Sequence, residues 1–365
     1  MNLQILIPNL FWPDSSQPEI YGDLSLSGLE KMLSKSEKKT YPSETLETWL
    51  CKSFHIDKQK CDWPIAPIMV QSDSMNSILP NSDFWMRADP VHLRIEQNHI
   101  MLADSQAFKI SKEESQQIVQ IINCCLDNKN IRILPLQSDR WYLRCTEIPE
   151  FETFPLSDVT CRNINDYLPI GNQSVVWHKI FNEIQMVLHD HPINQVRESR
   201  GELAINSVWF WGGGVMPQVK IESIFSHVWG NHEFLRALAF YSNAVWKEVP
   251  INGEDFLQNI TIGDHLIVLD SLYGRAQYRD AYGWRESLKK MEIDWFAPLC
   301  RALEAKKISQ LTLTALGSGA TQSFCVTAND LWKFWRKMKS MAFLSESVLP
   351  VPKAIEIATE RRFFK

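Results

Sequence analysis

Arginines carry the most useful chemistry in this chain. Arg87 stands two residues before Asp89, Arg140 and Arg144 bracket Trp141-Tyr-Leu, and Arg197 and Arg200 share one polar turn. A guanidinium presents a planar fork of donors that matches phosphate or carboxylate, so such a set could hold a small anion. Structural ion pairs, Arg87 with Asp89 and Arg197 with Glu198, are the plain alternative. Both readings stand for Arg87 and Arg140, and the structural one is favoured for the rest. His189-Asp-His191 has the composition of a metal tripod, but at a helix end His189 and Asp190 point to different sides. Histidine at a helix carboxyl terminus is also favoured by the dipole. Gly230-Asn-His-Glu233 reads as a turn into a helix, with Asn231 capping and Glu233 in the first turn. Gly317-Ser-Gly319 lacks the lysine of a phosphate loop and reads as a hairpin.

These residues need elements to position them. A helix over Ser174–His189 must end before Pro192. Beyond the polar turn, Ala204–Trp211 is apolar and β-prone and runs onto Gly212, Gly213 and Gly214, expected to form a turn and a cleft wall. Earlier, strands are expected at Leu3–Ile7, Phe84–Met86, Val91–Ile95, Ile100–Leu102, Ile131–Leu134 and Trp141–Cys145, with helices at Leu24–Ser36 and Glu44–Phe54. Ser111 and Glu114 form a capping box ahead of Ile118, Ile121, Ile122 and Cys125 at helical spacing. Later come a helix at Phe234–Trp246, a strand at His265–Leu269, and a long helix at Trp284–Ala305. Trp284, Leu288, Met291, Trp295 and Leu299 share one face of that helix. Strands at Leu311–Thr314 and Phe324–Thr327, the latter at an edge, and a helix at Asn329–Lys339 complete the chain. Strands alternating with helices give an α/β core, and the run before residue 150 an α+β unit.

At 365 residues, 45% of them hydrophobic and 22% charged, the chain is globular and long enough for two domains. The net charge of −5 gives no global reason to expect nucleic acid or a membrane surface. The eight cysteines include no Cys-x-x-Cys pair, which excludes a zinc cluster or a secreted disulfide framework as readings. The apolar start has no basic residue before it and is broken by Pro8 and Asn9. No stretch approaches the roughly 20 apolar residues of a membrane span, so a cytoplasmic location is expected. Residues 328–365 hold eight Lys or Arg against four acids, a local +4 that leaves −9 elsewhere. Leu331-Trp-Lys-Phe-Trp-Arg-Lys-Met-Lys is expected to pack Trp332 and Trp335 inward from a last helix. A partner-binding or nucleic-acid surface is the alternative, and the acid-rich remainder argues against nucleic acid.

Five motifs agree in order with a known family. Arg87-Ala-Asp-Pro-Val-His-Leu, Ile110-Ser-Lys-Glu-Glu, Arg140-Trp-Tyr-Leu-Arg, His191-Pro-Ile-Asn and Asn206-Ser-Val-Trp-Phe-Trp-Gly resemble the archaeal-type cofactor-independent phosphoglycerate mutases of the alkaline phosphatase superfamily. Pro80–Asp83 adds to this likeness, which covers about residues 80–215. Through Trp209-Phe-Trp-Gly-Gly-Gly and Asp280-Ala-Tyr-Gly-Trp-Arg the chain also resembles a bacterial group of RpfE-type regulatory proteins. The mutase resemblance implies two divalent metals and a phosphate-carrying serine. Asn9 stands where the family has a metal-binding Asp-Gly turn, Asp270 follows one later strand, and no ligand follows Thr314. Ser72 and Ser74 have no supporting pattern for the serine.

The resemblance therefore implies an alkaline-phosphatase-like core sheet flanked by helices, with an inserted smaller α+β domain. The expected division is a core of residues 1–75 and 205–365, an insert of 76–170, and a connecting helix and seam of 171–204. The expected function is a catalytically degenerate, regulatory protein, more a pseudoenzyme than an enzyme, binding an anionic metabolite or a protein partner. Its ligand-binding residues would be Arg87, Asp89, Arg140, His191, Asn194, Arg200, Trp211 and Gly212, with no cofactor. The alternative is a metal-dependent phosphotransferase or phosphohydrolase holding Mn or Zn through rearranged ligands drawn from Asp14, Asp270, Asp280 and His265. A third reading is a scaffold acting through the basic carboxyl end.

Overall fold

A computed structural model describes residues 1–14, 17–60, 62–74, 82–96, 99–126, 130–218 and 223–346. Pro80 and Asn81 of the Pro80–Asp83 motif lie outside these residues. The chain opens with β1 (Asn2–Pro8), α1 (Ser27–Lys35), β2 (Glu37–Tyr41), α2 (Leu46–Ser53) and α3 (Ile65–Asp73). There follow β3 (Phe84–Glu96), β4 (His99–Ala103), α4 (Lys112–Leu126), β5 (Ile131–Pro135), β6 (Trp141–Cys145), β7 (Phe151–Glu152), α5 (Leu156–Val159) and β8 (Ile170–Gly171). Next are α6 (Ser174–His189), α7 (Pro192–Ser199), β9 (Ser207–Gly214), β10 (His227–Trp229), α8 (Glu233–Tyr241), β11 (Val245–Lys247), α9 (Gly253–Asn259) and β12 (Asp264–Val268). The last are α10 (Tyr273–Gln277), α11 (Ala281–Met291), α12 (Ala297–Glu304), β13 (Gln310–Leu316), β14 (Thr321–Thr327), α13 (Ala328–Leu331) and α14 (Met341–Glu346).

Two compact units result: residues 1–46, 225–231 and 247–365 form the first, and 47–224 with 232–246 the second. The expected core included residues 47–75 and 205–224, and the expected seam 171–204. In the structure α3 packs on β3 and β9, and α6 packs on α4 and β9, so all of these belong to the second unit. Both units are mixed α/β.

The first unit is built on strands ordered β10-β12-β1-β13-β14-β2. Strands β10, β12, β1 and β13 run parallel, while β14 and β2 are antiparallel additions. Strand β14 is thus not an edge, since β2 lies outside it. Its Glu-Lys-Lys-Thr-Tyr sequence is exposed throughout, the charged kind of strand that natural sheets place at an edge. Gly317–Ala320 is the hairpin between β13 and β14, as expected.

The expected long helix is continuous but not uniformly α. Between α11 and α12 the segment Glu292–Phe296 winds as a π turn. That widening keeps Trp284, Leu288, Met291, Trp295 and Leu299 all buried despite the extra residue per turn. It also aims Glu292 at the first turn of α1, where its carboxylate accepts from Gly28 N (2.7 Å) and Leu29 N (3.1 Å). An Ala at position 28 would place its Cβ 2.9 Å from the Ala297 backbone, so the crossing of the two helices requires glycine there.

In the second unit β3 is the spine. The expected pair of strands is one strand of 13 residues, joined to β9 on one side and successively to β6 and β4 on the other. Pro90 sits between the stretch paired to β6 (84–87) and the stretch paired to β4 (92–96), where a missing donor costs least. The three glycines continue β9 and do not turn. Gly212, at φ +65°, forms a bulge opposite Trp85–Arg87. A Cβ on Gly213 would lie 2.6 Å from the Phe84 ring, and one on Gly214 2.8 Å from Pro64, so this strand is glycine for close packing. Strand β5 closes the other end of the sheet. Asn123 of α4 donates to Ile133 O and accepts from Ile133 N, both at 2.8 Å, as a neighbouring strand would. The Ser111–Glu114 capping box forms as expected. Among the described residues no helix is long and apolar enough to cross a membrane.

Candidate functional site

Strand β3 and the bulged end of β9 bring charge into the second unit's interior. Arg87 and Asp89 project from β3 two residues apart, hence on one face, and both are buried. Arg87 Nη2 donates to Asp89 Oδ1 at 2.6 Å, and the Trp211 indole N–H donates to Asp89 Oδ2 at 2.7 Å. The guanidinium lies over the Tyr142 and Trp211 rings, 5.2 and 5.4 Å from their centres. Burial opposes the charge on Arg87, but the Asp89 carboxylate outweighs it and holds the guanidinium's pKa above its ordinary value.

Beside this pair Arg140 makes a two-pronged contact with Asp73 at the end of α3, Nε to Oδ2 at 2.9 Å and Nη2 to Oδ1 at 3.1 Å. Tyr142 donates to the same carboxylate at 2.6 Å. Burial raises the pKa of Asp73, and the Arg140 and Tyr142 hydrogen bonds overcome it, leaving the carboxyl below its ordinary value. The remaining prong of Arg140, Nη1, faces Glu233 of α8 at 3.2 Å. Glu233 is about half exposed, and the same Nη1 lies 3.9 Å from the exposed carboxylate of Asp139, so this arm of the cluster ends at solvated carboxylates.

A second set lies at the bulge. Thr153 accepts from Gly212 N at 3.2 Å and donates through its hydroxyl to Asp62. Burial raises the Asp62 carboxyl to about 6, so this group changes protonation just below neutrality.

Of the residues singled out from sequence, Arg87, Asp89, Arg140 and Trp211 come together, with Gly212 adjoining Trp211. The others serve the local fold. His191 caps α7, its Nδ1 accepting from Ile193 N at 3.3 Å. Asn194 is buried and bonds Leu188 O, Ile205 O and Ile205 N, pinning α6 to the approach to β9. Arg200 is exposed at the carboxyl end of α7, a helix where a polar turn was expected. Arg197 is buried and pairs with Glu114 at 3.1 Å, not with Glu198. Asp73, Tyr142 and Asp62 are not singled out from sequence, and Glu233 is read there only as a first-turn helix residue. Tyr142 lay inside a quoted motif, whereas Asp73 and Glu233 come from separate helices with no sequence link to Arg140.

The two-metal set implied by the mutase resemblance does not fit the residues present. Among the described residues no three His, Cys, Asp or Glu side chains gather as a metal site. His265 is buried with both ring nitrogens engaged, one accepting from the Trp229 indole at 3.1 Å and one donating to Thr261 O at 2.9 Å. Asp280 caps α11 through Gly283 N (2.9 Å) and pairs with Arg275 (2.6 Å). Asp14 lies 3.6 Å from Arg279. Within the Asp280-Ala-Tyr-Gly-Trp-Arg motif, Trp284 donates to Asn9 O at 2.9 Å and Arg285 holds Gly22 O and Asp23. Asn9, with φ +57°, is thereby fixed at the end of β1.

Sequence comparison places this second unit among known proteins. The profile of a family described as 2,3-bisphosphoglycerate-independent phosphoglycerate mutase matches residues 70–194. The phosphoglycerate mutase of Methanosarcina mazei is 31% identical over 200 residues, 53% of this chain and 46% of that protein. That of Methanosarcina barkeri is 29% identical over 155 residues, 42% of this chain and 37% of that protein. The chain thus spans less than half the length of these curated relatives. In fold it is similar to the PH0037 protein of Pyrococcus horikoshii, with a TM-score of 0.53 at 10% identity over 89% of this chain and 87% of that one. These matches make the chain a divergent relative of the cofactor-independent phosphoglycerate mutases. The expectation of a pseudoenzyme more than an enzyme is overturned by the names of these relatives, which are those of enzymes.

Proposed function

We propose that the chain is a mutase-like enzyme acting on a small phosphorylated acid, whose anionic group is received at Arg140. The observation that carries this reading is the division of Arg140's donors. Two are committed to the buried side of the cluster through Asp73, and the third meets two solvated carboxylates, Glu233 at 3.2 Å and Asp139 at 3.9 Å. An arriving phosphate or carboxylate can take the place of Glu233 without breaking the Asp73 contact. Charge-assisted, forked hydrogen bonds of this kind are the strong ones. Arg87, Asp89, Tyr142 and Trp211 lie behind and fix the guanidinium's surroundings. Asp73, Arg87, Asp89, Arg140 and Tyr142 all fall in the stretch that matches the mutase family, which supports the choice of a phosphorylated acid.

The test is calorimetric titration with 3-phosphoglycerate and 2-phosphoglycerate, followed by an assay for their interconversion with and without manganese. Binding of either ester, lost in Arg140→Ala while circular dichroism shows the variant still folded, is the expected result. No binding by the unmodified chain, or equal binding by Arg140→Ala, would overturn the proposal. Binding without turnover in either metal condition would overturn its catalytic half.

A further inference from the structure

The carboxyl-terminal aromatics of the first unit face outward. Helix α13 stops at Leu331, and the residues that were expected to continue it form a series of turns. Trp332 is 75% exposed, Phe334 86% and Trp335 66%, three large aromatics in four positions. Such a patch is unusual on a soluble surface and marks an interaction site.

The turn is held in place. Lys35 Nζ donates to Lys333 O at 2.6 Å and also to Arg336 O, while Arg336 Nη1 returns bonds to Lys35 O (2.9 Å) and Ser36 O (2.8 Å). Lys339 N donates to Ser34 Oγ at 2.9 Å, and Met341 N to Glu30 at 2.9 Å. These bonds secure the backbone at both ends and leave the rings projecting. The turn is rich in cations: Lys333, Arg336, Lys337 and Lys339 fall within it, and Lys38 lies close enough to Lys339 that burial and then Lys339's charge lower its pKa.

We propose that the Trp332–Lys339 turn docks the protein on the surface of an anionic lipid bilayer. Tryptophan seats itself at the headgroup level, where its apolar body and its indole N–H are both satisfied, and phenylalanine adds buried apolar area beside it. Neighbouring lysines add attraction to acidic headgroups. Charge decides against the occupants nearest to hand. Residues 347–365 carry Lys353, Arg361, Arg362 and Lys365 against Glu356 and Glu360, the same sign as the turn. A second copy meeting this one through the same patch would set lysine against lysine. Ring geometry disfavours a single-stranded nucleic acid. Phe334 and Trp335 meet edge to face at 5.2 Å and 83°, which covers a ring face instead of presenting a ladder for stacked bases.

The full chain, purified without detergent, should be sedimented with vesicles of phosphatidylcholine alone and of an equimolar mixture with phosphatidylglycerol. Expected is partition onto the acidic vesicles at least about tenfold stronger than onto the neutral ones, weakening as salt rises. The combined Trp332→Ser, Phe334→Ser and Trp335→Ser variant should lose that partition by tenfold or more while melting at the same temperature. Lys337→Glu keeps the rings and should weaken binding only at low salt. No partition of the unmodified chain, or full partition of the triple variant, would overturn the proposal. So would self-association that the triple variant abolishes without vesicles, or tighter binding to oligothymidylate than to acidic vesicles.

Discussion

Two buried arginines in the second unit satisfy their donors in opposite ways. Arg197 reaches backbone: Nε donates to Leu203 O at 2.8 Å and Nη2 to Lys109 O at 2.9 Å, with Glu114 neutralising Nη1. Arg87 reaches side chains only, Asp89, the Met69 sulfur and two aromatic faces. Backbone carbonyls cannot leave, so Arg197 is a staple joining α7, the approach to β9 and the residues before α4. Carboxylates on side chains can rotate away or be replaced, so the Arg87–Arg140 group can change partners. A buried arginine therefore reports on function through what it touches, and burial alone does not separate the two.

The contrast can be broken by mutation. The largest effect is expected for Arg197→Ala, which strands Glu114 and two carbonyls and should cost about 3–5 kcal/mol of unfolding free energy. Urea unfolding measures it, and a loss under about 1 kcal/mol would mean the staple is not needed. Arg140→Ala should act on binding: phosphoglycerate affinity should fall by about 1.5–3 kcal/mol, the range for a hydrogen bond to a charged group. Calorimetry decides, and a proportionate fall in Arg197→Ala under folding conditions would erase the distinction.

Asp62 supplies a pH signature. Its carboxyl is raised to about 6 from an ordinary value near 3.8, so the folded state binds the proton more tightly than the unfolded one. Its contribution is therefore favourable below about pH 4 and is lost as pH rises through about 6. Asp62→Asn should then unfold later than the unmodified chain at pH 7.5, by about 1–2 kcal/mol once partial exposure is discounted, with no difference at pH 4. Equal stabilities at both values would show that Thr153 and Gly213 compensate the burial in full. The smallest effect is expected at the solvated arm. Glu233→Gln should tighten phosphoglycerate binding by about 0.5–1 kcal/mol, because an exposed competing carboxylate is worth little more.

Much of the framework was legible where periodicity was clean. Helix α6 and strands β5 and β6 follow from apolar spacing and turn residues, and the Ser111–Glu114 box from two side chains three apart. The sequence reads two strands, Phe84–Met86 and Val91–Ile95, where the fold has the single strand β3; only the gap between its successive partners makes Pro90 tolerable inside it. Strand β2 was missed because an exposed, lysine-rich edge has no alternation to read. The aromatics after Leu331 misled for a related reason. Trp332 and Trp335 stand three apart, as a buried helical face would, but sequence does not show that Lys35 and Arg336 tie the backbone into turns. At the site, Arg87, Asp89 and Arg140 were nameable from residue type and order. Asp73 and Glu233 were not, since they arrive from helices some 70 and 90 residues away and only the fold relates them to Arg140.

Asn123 has a consequence for the chain in company. By spending its amide on both backbone groups of Ile133, it occupies the central docking position on the free edge of β5, and Pro135 removes a further donor. Two molecules colliding edge to edge find no open ladder there to extend. A concentrated solution is thus protected against sheet-by-sheet polymerisation from that edge, and Asn123→Leu would be expected to shorten the lag before fibril growth.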